Sequence, residues 1–211
     1  MIITEMVDKR SILLLGAGGH ARACIDVIEQ QGQYVIAGLV GIDSEKGGAV
    51  LGYPILGGDL DLPALLALHR AGVVAVGQIK TAEARRRLYE VLVYHGSTLP
   101  AIVSPRAYVS EHARIGAGTV VFHGAVVNAG AQVGRNCIIN SMALIEHDAV
   151  VCDHCHIATG ARLNSSVRIG DGSFVGSSVA IKQGVAIGRA CVIGMGVVVR
   201  KDCPDLTVLY A

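Results

Sequence analysis

The chain has 211 residues, a formal net charge of +1 and 52% hydrophobic residues, with aromatics at 4% and no tryptophan. Near-neutral charge excludes a general attraction to nucleic acid or to an anionic membrane, and no unbroken run of about 18 apolar residues is available to span a bilayer. Residues 1–10 carry acids and no apolar segment, which speaks against a signal peptide. The six cysteines follow the internal repeat described below instead of a secreted disulfide framework, so a reducing cytoplasm is expected.

Ile12-Leu13-Leu14-Leu15 is a continuous apolar run, as in a parallel strand buried on both faces. It leads into Gly16-Ala17-Gly18-Gly19-His20, after which Ala21 to Gln31 reads as a helix ended by Gly32. Tyr34 to Val40 predicts a second strand, Leu60 to Ala71 a helix with Pro63 in its first turn, Val73 to Val76 a strand, and Thr81 to Tyr94 a helix rich in Arg and Glu. This alternation predicts a small Rossmann-like α/β domain over residues 1–98. Gly16, Gly18 and Ala21 fit G-x-G-x-x-A at a strand-to-helix turn, where bare backbone N–H groups and the helix dipole suit a phosphate. The dinucleotide version of that turn needs an acid ending the second strand, and Val40-Gly41-Ile42 stands there with Asp43 following.

Pro100 to Pro105 reads as a join, and residues 99–211 as a second domain. From Val103 to Val199 every sixth residue is Val, Ile or Leu without a miss. Neither a helix nor an alternating strand has that period; stacked short strands of a parallel β-helix do. The residue two before each repeat aliphatic is mostly small (Ala113, Thr119, Ala125, Cys137, Ala143, Cys155) and is expected to point inward at a tight corner. Asn128, Asn140 and Asn164 fall near corners, where Asn tolerates left-handed backbone angles.

Together the hexads, the Rossmann-like front, the Gly-Ala-Gly-Gly-His loop, the Leu51–Gly58 stretch and Ile145-Glu146-His147-Asp148 resemble the sialic-acid O-acetyltransferase family of left-handed β-helix acyltransferases. That family includes N-acetyltransferases of nucleotide-linked 4-amino-sugars of the bacillosamine and perosamine type. The resemblance implies a left-handed β-helix, a homotrimer, acetyl-CoA bound between neighbouring β-helices as co-substrate, and a nucleotide-linked amino-sugar held by the front domain.

Under that resemblance His147 is the general base for a direct attack, with Asp148 or Glu146 orienting it. His156, nine residues on and so half a coil away, is expected to donate to the acetyl carbonyl oxygen across a subunit interface. Gly176, Gly194 and Gly196 are expected along the coenzyme, and Gly16, Gly18, Gly19, His20, Asp43, Gly77, Gln78 and Asn140 at the nucleotide-sugar. Gln78 stands where relatives often have Asn, and the family's Gly-x-Pro-Ala-basic tail is not matched by Tyr210-Ala211, which suggests an altered coenzyme site. Cys152-Asp153-His154-Cys155-His156 carries ligand-type residues, yet Cys155 occupies an inward slot, which argues against a metal. His123 has no acidic sequence neighbour and reads as a surface or interface residue. A sugar O-acetyltransferase and a non-catalytic trimeric sugar-nucleotide scaffold remain as alternatives.

Overall fold

The structure is a computed structural model that describes residues 10–210; the expectations on residues 1–9 and Ala211 lie outside it. The N-terminal part runs β1 (Arg10–Leu15), α1 (Gly19–Gln31), β2 (Tyr34–Val40), β3 (Ala49–Val50), β4 (Tyr53–Gly57), α2 (Leu62–Leu68), β5 (Ala71–Val74) and α3 (Glu83–Tyr94). The sheet order is β3-β4-β2-β1-β5, parallel except for the β3–β4 hairpin. Ile12 to Leu15 are fully buried because α1 covers one face of β1 and α3 the other. The chain leaves β1 for β2 on one side and β5 on the other, so a crevice opens at the carboxyl ends of these three strands.

Three elements depart from the sequence pattern. The expected helix from Leu60 to Ala71 is only Leu62–Leu68: Asp59–Asp61 forms a separate 3-10 turn, and His69 is already extended at φ −121° and ψ 93°. The following strand therefore starts at Ala71, in register with Ile12, and ends at Val74. The Ala49–Gly57 hairpin had no strong alternation to announce it, yet it supplies the edge of the sheet.

From Ile102 onward two-residue strands stack in three parallel sheets, as a left-handed β-helix. Val109 pairs with Val127 and Val127 with Ile145, a step of one coil. The hexad aliphatics and the small residues two before them fill the interior. One face (Ile102, Val120, Ile138, His156, Phe174) packs under the α/β domain, chiefly against α1. A second face presents Tyr108, Val126, Leu144, Arg162, Ala180 and Val198, and a third presents Arg114, Gln132, Val150, Arg168 and Ala186.

The corner between the third face and the domain face has its own chemistry. Thr119, Cys137, Cys155, Ser173 and Cys191 stack there, and each hydroxyl or thiol donates to a carbonyl of the next coil: Gly134, Cys152, Gly170, Gly188 and Pro204, at 2.7 to 3.2 Å. The cysteines are thus small donors of a structural ladder. Left-handed angles fall not on Asn128, Asn140 or Asn164 but on residues such as Asn136, Met142, Asp148 and Ser166, the third residue of each corner turn. The three asparagines use their side-chain amides instead, as with Asn164 Nδ2 donating to Ile181 O at 2.6 Å.

Candidate active site

Gly16 follows β1 at φ +122°, and a Cβ there would press on the Val76 side chain and the Ala75 backbone, so only glycine allows the turn. Gly18 then caps α1 in an extended conformation, and neither it nor Gly19 has anything within 4 Å of a notional Cβ. The open α1 N-terminus faces a cleft of about 300 Å³ lined by Gly16, Ala17, Gly18, Gly41, Ile42, Glu45, Asp59, Val76 and Arg87. Asp43 is not part of that lining. Its carboxylate packs against Gly58, and Glu45 takes the expected acidic position, accepting from Ile42 N–H at 3.0 Å.

Behind this cleft lies a polar cluster between the domains. His156 is 8% exposed, and its Nδ1 donates to Gln78 O at 2.7 Å. A carbonyl only accepts, so Nε2 carries the lone pair and takes a hydrogen bond from Asn140 Nδ2 at 3.2 Å. Asn140 Oδ1 is held by Ser141 N–H at 2.8 Å, which fixes the orientation of the amide. Gln78 Nε2 donates to Gly172 O at 3.1 Å, and Gly77 lies against His20. Burial first, then the Arg85 charge, lowers His20 to about 3. Burial is also the largest influence on His156, which falls to about 4 although the Gln78 carbonyl opposes the shift. Both rings are neutral at pH 7. His20 Nε2 and Gln78 Oε1 are buried without a hydrogen-bond partner, so the cluster presents unmatched polar atoms to a ligand.

Both ring nitrogens of His156 are engaged within the chain, and the one turned to Asn140 is an acceptor. The free donor in the pair is the second N–H of Asn140.

His147 stands on the edge between the second and third faces, with its side chain 56% exposed. Its Nδ1 lies 2.9 Å from Asp148 Oδ2. Asp148 reaches the ring because it occupies the left-handed corner position at φ +60°, where the preceding coil carries Gly130, the next Ser166 and the one after it Gly184. Glu146 does not touch the ring: its Oε2 accepts from Asn128 Nδ2 at 2.9 Å and from His147 N–H at 3.3 Å. With Nδ1–H given to Asp148, Nε2 presents a lone pair to a groove of about 390 Å³ lined by Ser165, Ser166, Gln183 and Gly184, the corner residues of the next two coils. Further along the same edge Lys182, Arg200 and Lys201 are exposed, with no ion-pair partner among the described residues. Sequence reading did not single them out, although their column positions one and two coils on from Asn164 and Ser165 were available.

Gly176, Gly194 and Gly196 line the other edge of the second face, below Asn140. A Cβ at Gly176 would strike the Gly194–Met195 backbone and one at Gly194 the Tyr210 ring, so packing alone demands glycine at both. Gly196, at φ +73°, faces open space.

His123, expected to lack an acidic neighbour, has one from α1: its Nε2 lies 2.8 Å from Asp26 Oδ2 and its Nδ1 2.6 Å from Ser104 Oγ. The connectivity is that of a hydrolase triad, but Ser104 is 1% exposed and its Oγ also accepts from Arg106 N–H at 2.9 Å, so the trio ties α1 to the first coils. His154 Nδ1 is taken by Asn136 Nδ2 at 2.9 Å and the Cys155 thiol by Gly170 O; no His, Cys, Asp or Glu cluster among the described residues has metal-binding geometry.

Residues 11–92 match the PglD N-terminal domain family, and residues 166–201 the hexapeptide repeat of succinyl-transferase. A mutant of perosamine N-acetyltransferase from Caulobacter crescentus, in complex with CoA and GDP-perosamine, is 32% identical over 94% of this chain and 92% of its own, with a TM-score of 0.89. The acetyltransferase domain of PglB from Neisseria gonorrhoeae, in complex with acetyl coenzyme A, is 32% identical over 95% of each chain, with a TM-score of 0.87. WeeI from Acinetobacter baumannii shares the fold at 24% identity and a TM-score of 0.85, over 95% of this chain and 96% of its own. Comparison with curated proteins gives no match.

Proposed function

Because this chain belongs to the hexapeptide-repeat acyltransferases that carry a PglD-type N-terminal domain, we propose that it transfers acetyl from acetyl-CoA to the amino group of a nucleotide-linked amino-sugar. Within that family we assign it to the sialic-acid O-acetyltransferase branch, on its Rossmann-like front and the Glu146-His147-Asp148 corner.

The observation that carries the reading is the His147–Asp148 pair on an exposed edge, with Nε2 free over a groove. Nε2 removes a proton from the acceptor amine as the nitrogen attacks the thioester carbonyl, and Asp148 holds the imidazolium that forms. The tetrahedral oxyanion takes a hydrogen bond from the free N–H of Asn140. Collapse breaks the C–S bond, the thiolate of CoA leaves and takes up a proton, and the amide remains. No acyl-enzyme is needed; the chain's contribution is alignment and proton removal. The sugar's diphosphate belongs at the α1 N-terminus, in the cleft of Gly16, Gly18 and Gly41.

A homotrimer completes the site. The second face carries Tyr108, Val126, Leu144 and Val198 outward, with Tyr108 and Val198 more than half exposed. His147 stands at one edge of this face and Asn140, Gly176 and Gly194 at the other. A three-fold axis parallel to the coils, facing this surface, brings one edge of each copy against the opposite edge of the next and closes the ring. Such an axis keeps height along the coil. With about 4.8 Å per coil, Asn140 of one copy lies within about 2 Å of the level of its neighbour's His147. Gly176 and Gly194 lie roughly 8 to 13 Å further along, and Lys182 and Lys201 about 9 to 14 Å, so the phosphate end of the coenzyme meets the cations while its thioester meets His147.

The test is incubation with acetyl-CoA and a panel of UDP-, GDP- and CMP-linked sugars, each as amino and hydroxy form, read by mass spectrometry and thiol release. An acetylated amino-sugar nucleotide is expected. Acetylation of hydroxy-sugars alone, or of none, overturns the reading.

A further inference from the structure

Arg85 heads the fully buried side chains of the described residues by size, at 1% exposure, and no carboxylate pairs with it among them. Oxygen atoms of neutral groups surround it instead. Nη1 donates to Val74 O at 3.1 Å and Val76 O at 2.5 Å, and Nη2 to Asn136 O at 3.0 Å and Asn136 Oδ1 at 2.9 Å. Asn136 Nδ2 returns a bond to Arg85 O at 3.2 Å. Burial draws the guanidinium down to about 10, so it stays a cation at neutral pH. Burying a cation without a counter-ion is costly, and an apolar side chain of like volume fills such a place at less cost to stability. What the guanidinium adds is a fork with one tine on the end of β5 and the other on a corner of the β-helix.

The segment so gripped leads directly to the polar cluster. Val76 is followed by Gly77 and Gln78; the Gln78 carbonyl takes the proton of His156 Nδ1, and His156 Nε2 accepts from Asn140, whose remaining N–H is unspent. We propose that Arg85 is a positioning residue: by clamping the loop after β5 to the β-helix it holds the Gln78 carbonyl where it fixes His156 in the Nδ1–H form, and His156 in turn aims the Asn140 amide at the acetyl group. The last step rests on the acetyl-transfer reading; the clamp and the tautomer do not.

The experiment follows both. Protein labelled with 15N-histidine is examined at pH 7, with His156 assigned by its loss in His156→Gln. In the wild type the His156 proton is on Nδ1 and Nε2 is bare. In Arg85→Met, checked by thermal melting, His156 shifts towards the Nε2–H form and kcat falls about 10- to 100-fold, the size expected for a misplaced group, while KM for acetyl-CoA changes less than about two-fold. Arg85→Lys, which keeps the charge without the fork, lies between the two in both readouts. A wild-type His156 protonated on Nε2 overturns the proposal with no variant needed, which covers the case of an Arg85→Met that does not fold. So does a folded Arg85→Met with unchanged tautomer and kcat. If the wild type turns over no amino-sugar nucleotide, the acetyl-transfer reading fails, while the tautomer comparison still decides the clamp.

Discussion

Asp148 reaches Nδ1 of His147, at 2.9 Å, from a backbone angle of φ +60° that other coils give to glycine. The side chain proposed to orient the base therefore occupies a position its own backbone disfavours. A left-handed angle costs a non-glycine residue roughly 1 to 2 kcal/mol.

Replacing Asp148 by glycine separates stability from activity. Asp148→Gly is expected to melt at or above the wild-type temperature and to lose about 10- to 100-fold in kcat, since the base loses its orienting partner. Glu146→Gln, which leaves the ring contact intact, stays within about three-fold of wild type. Equal loss in both variants argues that the carboxylates act together and that the Asp148 assignment is wrong.

His147→Asn removes the base outright. Turnover measured by thiol release drops by about 10² to 10⁴ while the circular dichroism spectrum is unchanged, because the side chain is exposed and supports no core contact. Wild-type turnover in this variant ends the proposed mechanism.

Acid stability follows from the two buried rings. His20 and His156 have pKa values lowered to about 3 and about 4 against an ordinary 6.5, so between those limits the unfolded chain binds more protons than the folded one. Stability is then complete above pH 6.5 and falls as pH drops through the window towards 4 and 3. Thermal melting from pH 7.5 to 4 is expected to show that decline, and His156→Asn a shallower one. A slope identical to wild type in that variant excludes His156 as a contributor.

The exposed cations on the His147 edge predict a selective binding defect. The double charge reversal Lys182→Glu with Lys201→Glu raises KM for acetyl-CoA by about ten-fold or more and leaves KM for the sugar nucleotide near wild type, with the difference shrinking in high salt. An equal rise in both constants points to a general folding defect.

Within the corner ladder, Ser173 Oγ donates to Gly188 O at 2.8 Å and accepts from Cys191 N–H at 2.9 Å. Ser173→Ala leaves both groups unpaired in the interior and costs about 1 to 3 kcal/mol in urea melts, whereas Ser173→Cys repeats the chemistry of the neighbouring rungs and costs less. A neutral Ser173→Ala removes the ladder as a source of stability.

The hexads made the β-helix legible because one column of aliphatics recurs at fixed spacing whatever surrounds it, and the same frame correctly turned Cys137 and Cys155 inward. Contacts between distant segments were not legible. Asp26 and His123 meet across 97 positions, and no local pattern joins α1 to a coil corner. Arg85 sat in a helix whose Arg and Glu content did not mark it as buried; the signal available was phase, since Arg85, Leu88, Tyr89 and Leu92 share the buried stripe that Arg86 and Arg87 leave. The tautomer of His156 depends on a carbonyl four residues past a strand end, which sequence alone does not locate.

Each coil is a fixed increment of height, and His147 and the cations beyond it sit on different floors of the same stack. Their separation is consequently quantised. Insertion of one whole coil of three hexads between Ser165 and Lys182 would alter the reach demanded of an acyl donor by a single step of about 4.8 Å while leaving the chemistry at the thioester alone. Under the proposed acetyl transfer the stack is a molecular ruler, with donor length set by counting storeys rather than by reshaping a pocket.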